Sequence, residues 1–175
     1  MEQTETVLCA LFEDGEDSMS FSIFRYNKLV DETSSIPLIN SFKSNVEARV
    51  NAIPYDGEGT RTGQALKYAR DVILSAEGNR DYAPDVVLLL TDGVSQDDVI
   101  TPANALRDDG VTLYTVGIMP PSGRLDTAHL LEIAGDIDHV ILADNGFDGL
   151  TPIFAQELSQ HICGDPCNHV RHGHE

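Results

Sequence analysis

Three short stretches of this sequence gather side chains able to do chemistry. In "FEDGEDSMSFSIFRYN" the acids Glu13, Asp14, Glu16 and Asp17 lie directly between two strand-like runs, a pattern that suits a metal-binding loop or an acidic hairpin turn. In "LLLTDGVSQDD" Asp92 sits immediately after a strand-like run, at its carboxyl end, and Asp92-Gly93 by itself is a common turn pair. In "YDGEGTRTGQAL" a glycine-rich segment leads into a helical pattern. It is one residue too long for G-x-G-x-x-G, follows a helix rather than a strand, and carries Glu58 where an anion would approach, so phosphate binding is set aside. What remains is a loop in which Thr60 or Thr62 caps the helix or presents its hydroxyl to a neighbouring group. The tail "HICGDPCNHVRHGHE" also collects His161, His169, His172 and His174 around Cys163 and Cys167, but no spacing there matches a standard zinc signature. It reads as an unstructured polar tail over 164–175.

The bulk composition narrows the partners. With 11 basic and 29 acidic residues the formal charge is −18, which repels nucleic acid and anionic membranes and concentrates cations. Apolar runs such as "VVLLL" fall far short of the roughly 20 residues of a membrane span, so no membrane partner is expected. The start "MEQTETVLCALF" has acids where a secretory signal has basic residues, and no signal is visible. Three cysteines are too few for a disulfide scaffold.

Positioning those loops requires strands and helices in alternation. Thr6 to Phe12 and Met19 to Tyr26 read as strands, with a weaker one near Glu32 to Leu38. "SFKSNVEARVNAI" places Phe42, Val46, Val50 and Ile53 on one helical face, and "TGQALKYARDVILSAEG" does the same with Ala65, Leu66, Ala69, Val72 and Ile73, Gly78 serving as C-cap. "DVVLLL" has no polar face, as a central parallel strand requires. Ser95 with Asp98 three residues on opens the next helix in the manner of a capping box, closed at Gly110. "VTLYTVGI", "LDTAHLLEIAG", "HVILA" and "GLTPIFAQELSQHI" follow as strand, helix, strand, helix. The sum is an α/β fold, a mostly parallel central sheet with helices on both faces, in one domain over 1–163. In such sheets ligands bind beyond the carboxyl ends of the strands, which is where Asp92 falls.

In order and spacing, "GEGTRTGQALKYARDVIL", "PDVVLLLTDGVSQDD", "ANALRDDGVTLYTVGI" and "LLEIAGDIDHVILADNGFDGL" resemble the von Willebrand factor type A (vWA) domain, from about Phe21 to Cys163. The resemblance is nearest to the extracellular-matrix branch of matrilins and non-fibrillar collagens. It implies a Rossmann-like fold, an extracellular location, matrix or cell-surface proteins as partners, and no enzymatic activity. It also implies a metal-ion-dependent adhesion site (MIDAS) with Thr60 and Asp92 as ligands, Mg²⁺ or another divalent cation as cofactor, and a coordination position left for a partner's carboxylate. An Asp-x-Ser-x-Ser loop of the family falls on Asp14 to Ser18, so that Asp14 and Ser18 match while Glu16 replaces the first serine.

The resemblance breaks at that loop. The family places a full helix between the first two strands, and a parallel crossover needs about a dozen residues, whereas Glu13 to Ser18 is six. The first strand is therefore expected either to pair antiparallel or to leave the family's slot, which would carry Asp14, Glu16 and Ser18 away from Thr60 and Asp92 and leave the site incomplete. The N-terminal strand-helix unit is abbreviated, and the apolar sheet face it uncovers, like Cys163 and Cys167, is a candidate for self-association. Two functions follow: an interaction and adhesion module assisted by a divalent cation, or an acidic calcium-associated matrix protein that binds cations diffusely.

Overall fold

The computed structural model describes residues 20–39, 48–53, 59–92 and 94–163. Strands β1 (Phe21–Ile23) and β2 (Ile36–Ile39) form an antiparallel pair. Then α1 (Thr62–Tyr68), β3 (Val86–Thr91), α2 (Ile100–Asp108), β4 (Thr112–Ile118), α3 (Thr127–Ala134), β5 (Val140–Ala143) and α4 (Pro152–Cys163) alternate along the chain. The strands β3, β4 and β5 are parallel neighbours in that order, with Val86 opposite Thr112 and Ile118 opposite Ala143. The strand expected at Thr6–Phe12, the acidic loop, Cys9, Phe42, Val46 and the tail lie outside the described residues.

Period-two alternation sorts the sheet into two faces. Leu89 and Leu113 pack with Leu66, Ala103, Leu106 and Ile133 on the side of α1, α2 and α3. Val116, Ile118 and Ala143 pack with Leu150, Ala155 and Leu158 on the side of α4, joined by Leu88 and Leu90. Helices therefore cover both faces, as the continuous apolar run of β3 requires. Each fully buried leucine contributes about 1.5–3 kcal/mol by leaving water.

Gly117 sets how closely α3 lies on β4. A Cβ there would stand 2.4 Å from Leu130 Cδ1 and 2.6 Å from Leu125 Cδ2, while Thr115, two residues earlier on the same face, donates its buried hydroxyl to the Leu130 carbonyl at 3.4 Å. Gly117→Ala is expected to cost about 1–3 kcal/mol by overpacking, read as a lowered urea midpoint at unchanged m.

Four sequence expectations shift. Of the strand expected over Met19–Tyr26, the described part from Ser20 on holds β1 alone, with a register irregularity between Phe21 and Ile23, and Tyr26 instead bridges to Val30 across a tight turn. The helix begun at Thr62 widens after Tyr68, Leu74 N–H donating to the Ala69 carbonyl at 2.9 Å, an i→i+5 bond. The wider turn keeps Ile73 buried but turns Val72 outward, 48% exposed. Gly78 lies beyond that helix and does not cap it; a Cβ there would meet the Leu38 carbonyl oxygen at 2.8 Å, so β2 passing close by is what requires glycine. The expected capping pair divides as well. Asp98 Oδ1 accepts from the N–H groups of Ile100 and Thr101, at 3.0 and 3.3 Å, and starts α2, but Ser95 turns away to a different helix.

Candidate functional site

Asp92 leaves the carboxyl end of β3 exposed to solvent, directly after the buried Thr91. Residues 94–98 then return over the start of α1, whose first N–H groups have no partner within their own helix. Ser95 Oγ accepts from Thr62 N–H at 3.0 Å. Asp97 takes the next two, Oδ1 from Gly63 N–H and Oδ2 from Gln64 N–H, each at 2.9 Å. The Ser95 hydroxyl donates to Asp97 Oδ1 at 2.5 Å, and Gln96 N–H donates to the Thr60 carbonyl at 2.8 Å. The two loops singled out in the sequence are thus locked together as a clamp, with a carboxylate at the positive end of a helix where the backbone dipoles favour it. Neither Thr60 nor Thr62 caps α1 with its side chain.

A third segment joins the clamp. Tyr26, from the turn after β1, pairs its hydroxyl with Thr62 Oγ1 at 3.1 Å, and Asn27 accepts from Arg61 N–H at 2.8 Å. Burial pushes the Tyr26 phenol above its ordinary value; hydrogen bonds to Thr62 and Thr91 oppose this, and the charges of Asp92 and Asp97 add to it. The phenol stays neutral and keeps its proton for that network. Thr62 is committed to Tyr26 and 1% exposed. The Thr60 hydroxyl and the Asp92 carboxylate take no hydrogen bond or ion pair from another described residue. On the far side, Ser95 N–H donates to His129 Nε2 at 3.3 Å, and Asp126 caps α3 by accepting from His129 N–H at 3.1 Å.

A hydroxyl and a carboxylate are the oxygen donors a hard cation prefers, so Thr60 and Asp92 fit such an ion by type. Two donors are fewer than a coordination shell, and among the described residues no group of three or more His, Cys, Asp or Glu could hold a metal. Asp14, Glu16 and Ser18 lie outside the described residues. His161 sits in the last turn of α4, its Nε2 bonded to the Asp138 carbonyl and its ring edge-on to Tyr114 at 5.9 Å between centroids, while Cys163 ends that helix. Sequence reasoning missed Tyr26, Asp97 and His129, since each acts on a segment far along the chain. Only the "SQDD" run signalled that capping side chains were at hand.

An open parallel sheet with its candidate site in the loops beyond the carboxyl ends of the strands is a Rossmann-like architecture. The model of the von Willebrand factor type A domain matches residues 1–156, which takes in the acidic N-terminal loop, and the chain belongs to this family. It is 30% identical to the collagen alpha-1(XII) chain of Notophthalmus viridescens over 154 residues, 87% of this chain and 16% of that one. It is also 30% identical to matrilin-2 of Mus musculus over 158 residues, 85% of this chain and 16% of that one. The chain thus spans under a fifth of the length of either relative. Among solved structures, proximal thread matrix protein 1 of the mussel byssus, with zinc occupying its MIDAS motif, superimposes with a TM-score of 0.76 at 22% identity, covering 93% of this chain and 42% of that one. The matrix-protein resemblance read from the sequence is thereby confirmed at the level of the family and its relatives.

Proposed function

We propose that the chain is a non-enzymatic interaction module of the extracellular-matrix kind, carried by a domain over 1–163, that engages protein partners through the loops at the carboxyl end of its sheet. Thr60 and Asp92 would hold a divalent cation there through an incomplete metal-ion-dependent adhesion site, in which water and the partner supply the donors that Asp14, Glu16 and Ser18, expected to be displaced, do not. Such an ion supplies a positive coordination position for a carboxylate on the partner. The observation that carries the reading is the clamp. Its hydrogen bonds fix the Thr60 backbone to the loop that follows Asp92, so a hydroxyl and a carboxylate without described partners are held at adjoining loops rather than left on independent ones. An extracellular setting with matrix or cell-surface partners follows from the resemblance to collagen and matrilin chains.

Titrating Mg²⁺ into the protein under calorimetry tests this. One saturable site is expected, weakened about a hundred-fold or more by Asp92→Ala, because a carboxylate ligand to a hard cation is lost. Many weak Ca²⁺ sites indifferent to that change would instead assign the cation affinity to the diffuse field of a chain with net charge −18.

A further inference from the structure

His129 is not among the oxygen donors, yet it holds the loop that follows Asp92. Because Ser95 N–H donates to Nε2 at 3.3 Å, that nitrogen is an acceptor, which places the ring proton of the neutral imidazole on Nδ1. Nδ1 faces Glu132 Oε2 at 4.0 Å, and the side chain is 15% exposed. Ser95 is the hinge of the clamp: its N–H goes to His129, its Oγ accepts from Thr62, and its hydroxyl proton goes to Asp97.

Among the described residues, the charged groups that contact His129 are carboxylates. On α3 these are Asp126, which accepts from the His129 N–H, and Glu132. On the facing loop Asp97 is engaged by the Ser95 hydroxyl and by the first N–H groups of α1. The cation of α2, Arg107, reaches the opposite end of α3, where it bonds the carbonyls of Glu132 and Ile133. From β4 the approach is uncharged, through Thr115 and Gly117 beneath Leu130. An imidazolium donates from both nitrogens and can accept from neither. Nε2–H would then point at Ser95 N–H, donor against donor.

We propose that His129 is a positioning residue for the loop after Asp92, and that its protonation releases Ser95 and loosens the clamp. The domain thereby carries a pH-dependent control over the loop it presents to a partner. The consequence for cation binding rests on the function proposed above, whereas the loop switch does not.

The test is proton and nitrogen NMR on the intact chain between about pH 7.5 and about pH 5, the span in which an ordinary imidazole changes charge. The Ser95 amide shift is expected to follow the His129 ring, and its exchange protection, corrected for intrinsic rate, to fall about ten-fold. In His129→Gln the amide oxygen can still accept from Ser95 but does not titrate, so protection should be independent of pH over that range. Ser95 protection that is unchanged in the parent protein, or that falls equally in H129Q, would overturn the proposal. Calorimetry with Mn²⁺ at both pH values adds the second arm, in which affinity drops with acid in the parent and less in H129Q. A Ser95 amide that titrates as expected in a protein that binds no Mn²⁺ would uphold the switch and remove the cation reading.

Discussion

Gly63→Ala is expected to destabilise the domain by about 3 kcal/mol, the upper end of the cost of inserting one methyl group into a packed site. A Cβ at this position would lie 1.9 Å from the Asp98 carbonyl oxygen, 2.8 Å from its carbon and 3.2 Å from Asp97 Cγ. Two of these are backbone atoms of a loop already pinned by Asp97 and Ser95, so no side-chain rotation relieves the clash. Either the loop moves off α1 and gives up its caps, or α1 moves off the loop. Urea unfolding measures the loss, and a shift in midpoint below what about 1 kcal/mol would produce contradicts the close approach.

Asp97→Ala is expected to cost about 2–3 kcal/mol, more than an ordinary exposed N-cap, which contributes about 1. One carboxylate satisfies Gly63 N–H, Gln64 N–H and the Ser95 hydroxyl, and its removal strands the Gly63 N–H and the Ser95 hydroxyl at a partly buried helix start while leaving the exposed Gln64 N–H to water. Asp97→Asn should recover part of the loss, since its amide offers one acceptor where two N–H groups compete. The discriminating measurement is a double-mutant cycle with Ser95→Ala. Coupling above about 0.5 kcal/mol is expected for residues in one network, and strict additivity would mean that the two caps act independently.

How much of this was legible in the sequence depends on how far each interaction reaches. The ends of α3 were readable, because Asp126 caps it from one residue before its start and Gly135 takes a left-handed conformation one residue after its end. The run "DVVLLL" declared a strand covered on both faces by its lack of polar alternation, and helices lie on both sides of it. Ser95 was readable as a cap but not as the cap of a particular helix. Its nearest helix, α2, starts five residues later, where Asp98 already serves Ile100 and Thr101, and the orphan donors that Ser95 and Asp97 satisfy belong to α1, more than thirty residues earlier. Val72 was misplaced because periodicity assumes an unbroken 3.6-residue turn, and the ladder widens just before it.

The sequence by itself determined the alternation of strands and helices, the family, and the residue types at the loop ends, Thr60 and Asp92 among them, since these follow from local pattern and motif order. The tertiary structure alone decided that the two loops are clamped to each other, that Tyr26 secures them from a third segment, that the Thr62 hydroxyl is taken while that of Thr60 has no partner among the described residues, and that a histidine on α3 holds the loop from behind. Those are contacts between residues separated by 33 or more positions. Hydrogen-bond donors and acceptors carry no address in the chain, and only folding chooses which of many equivalent partners meet.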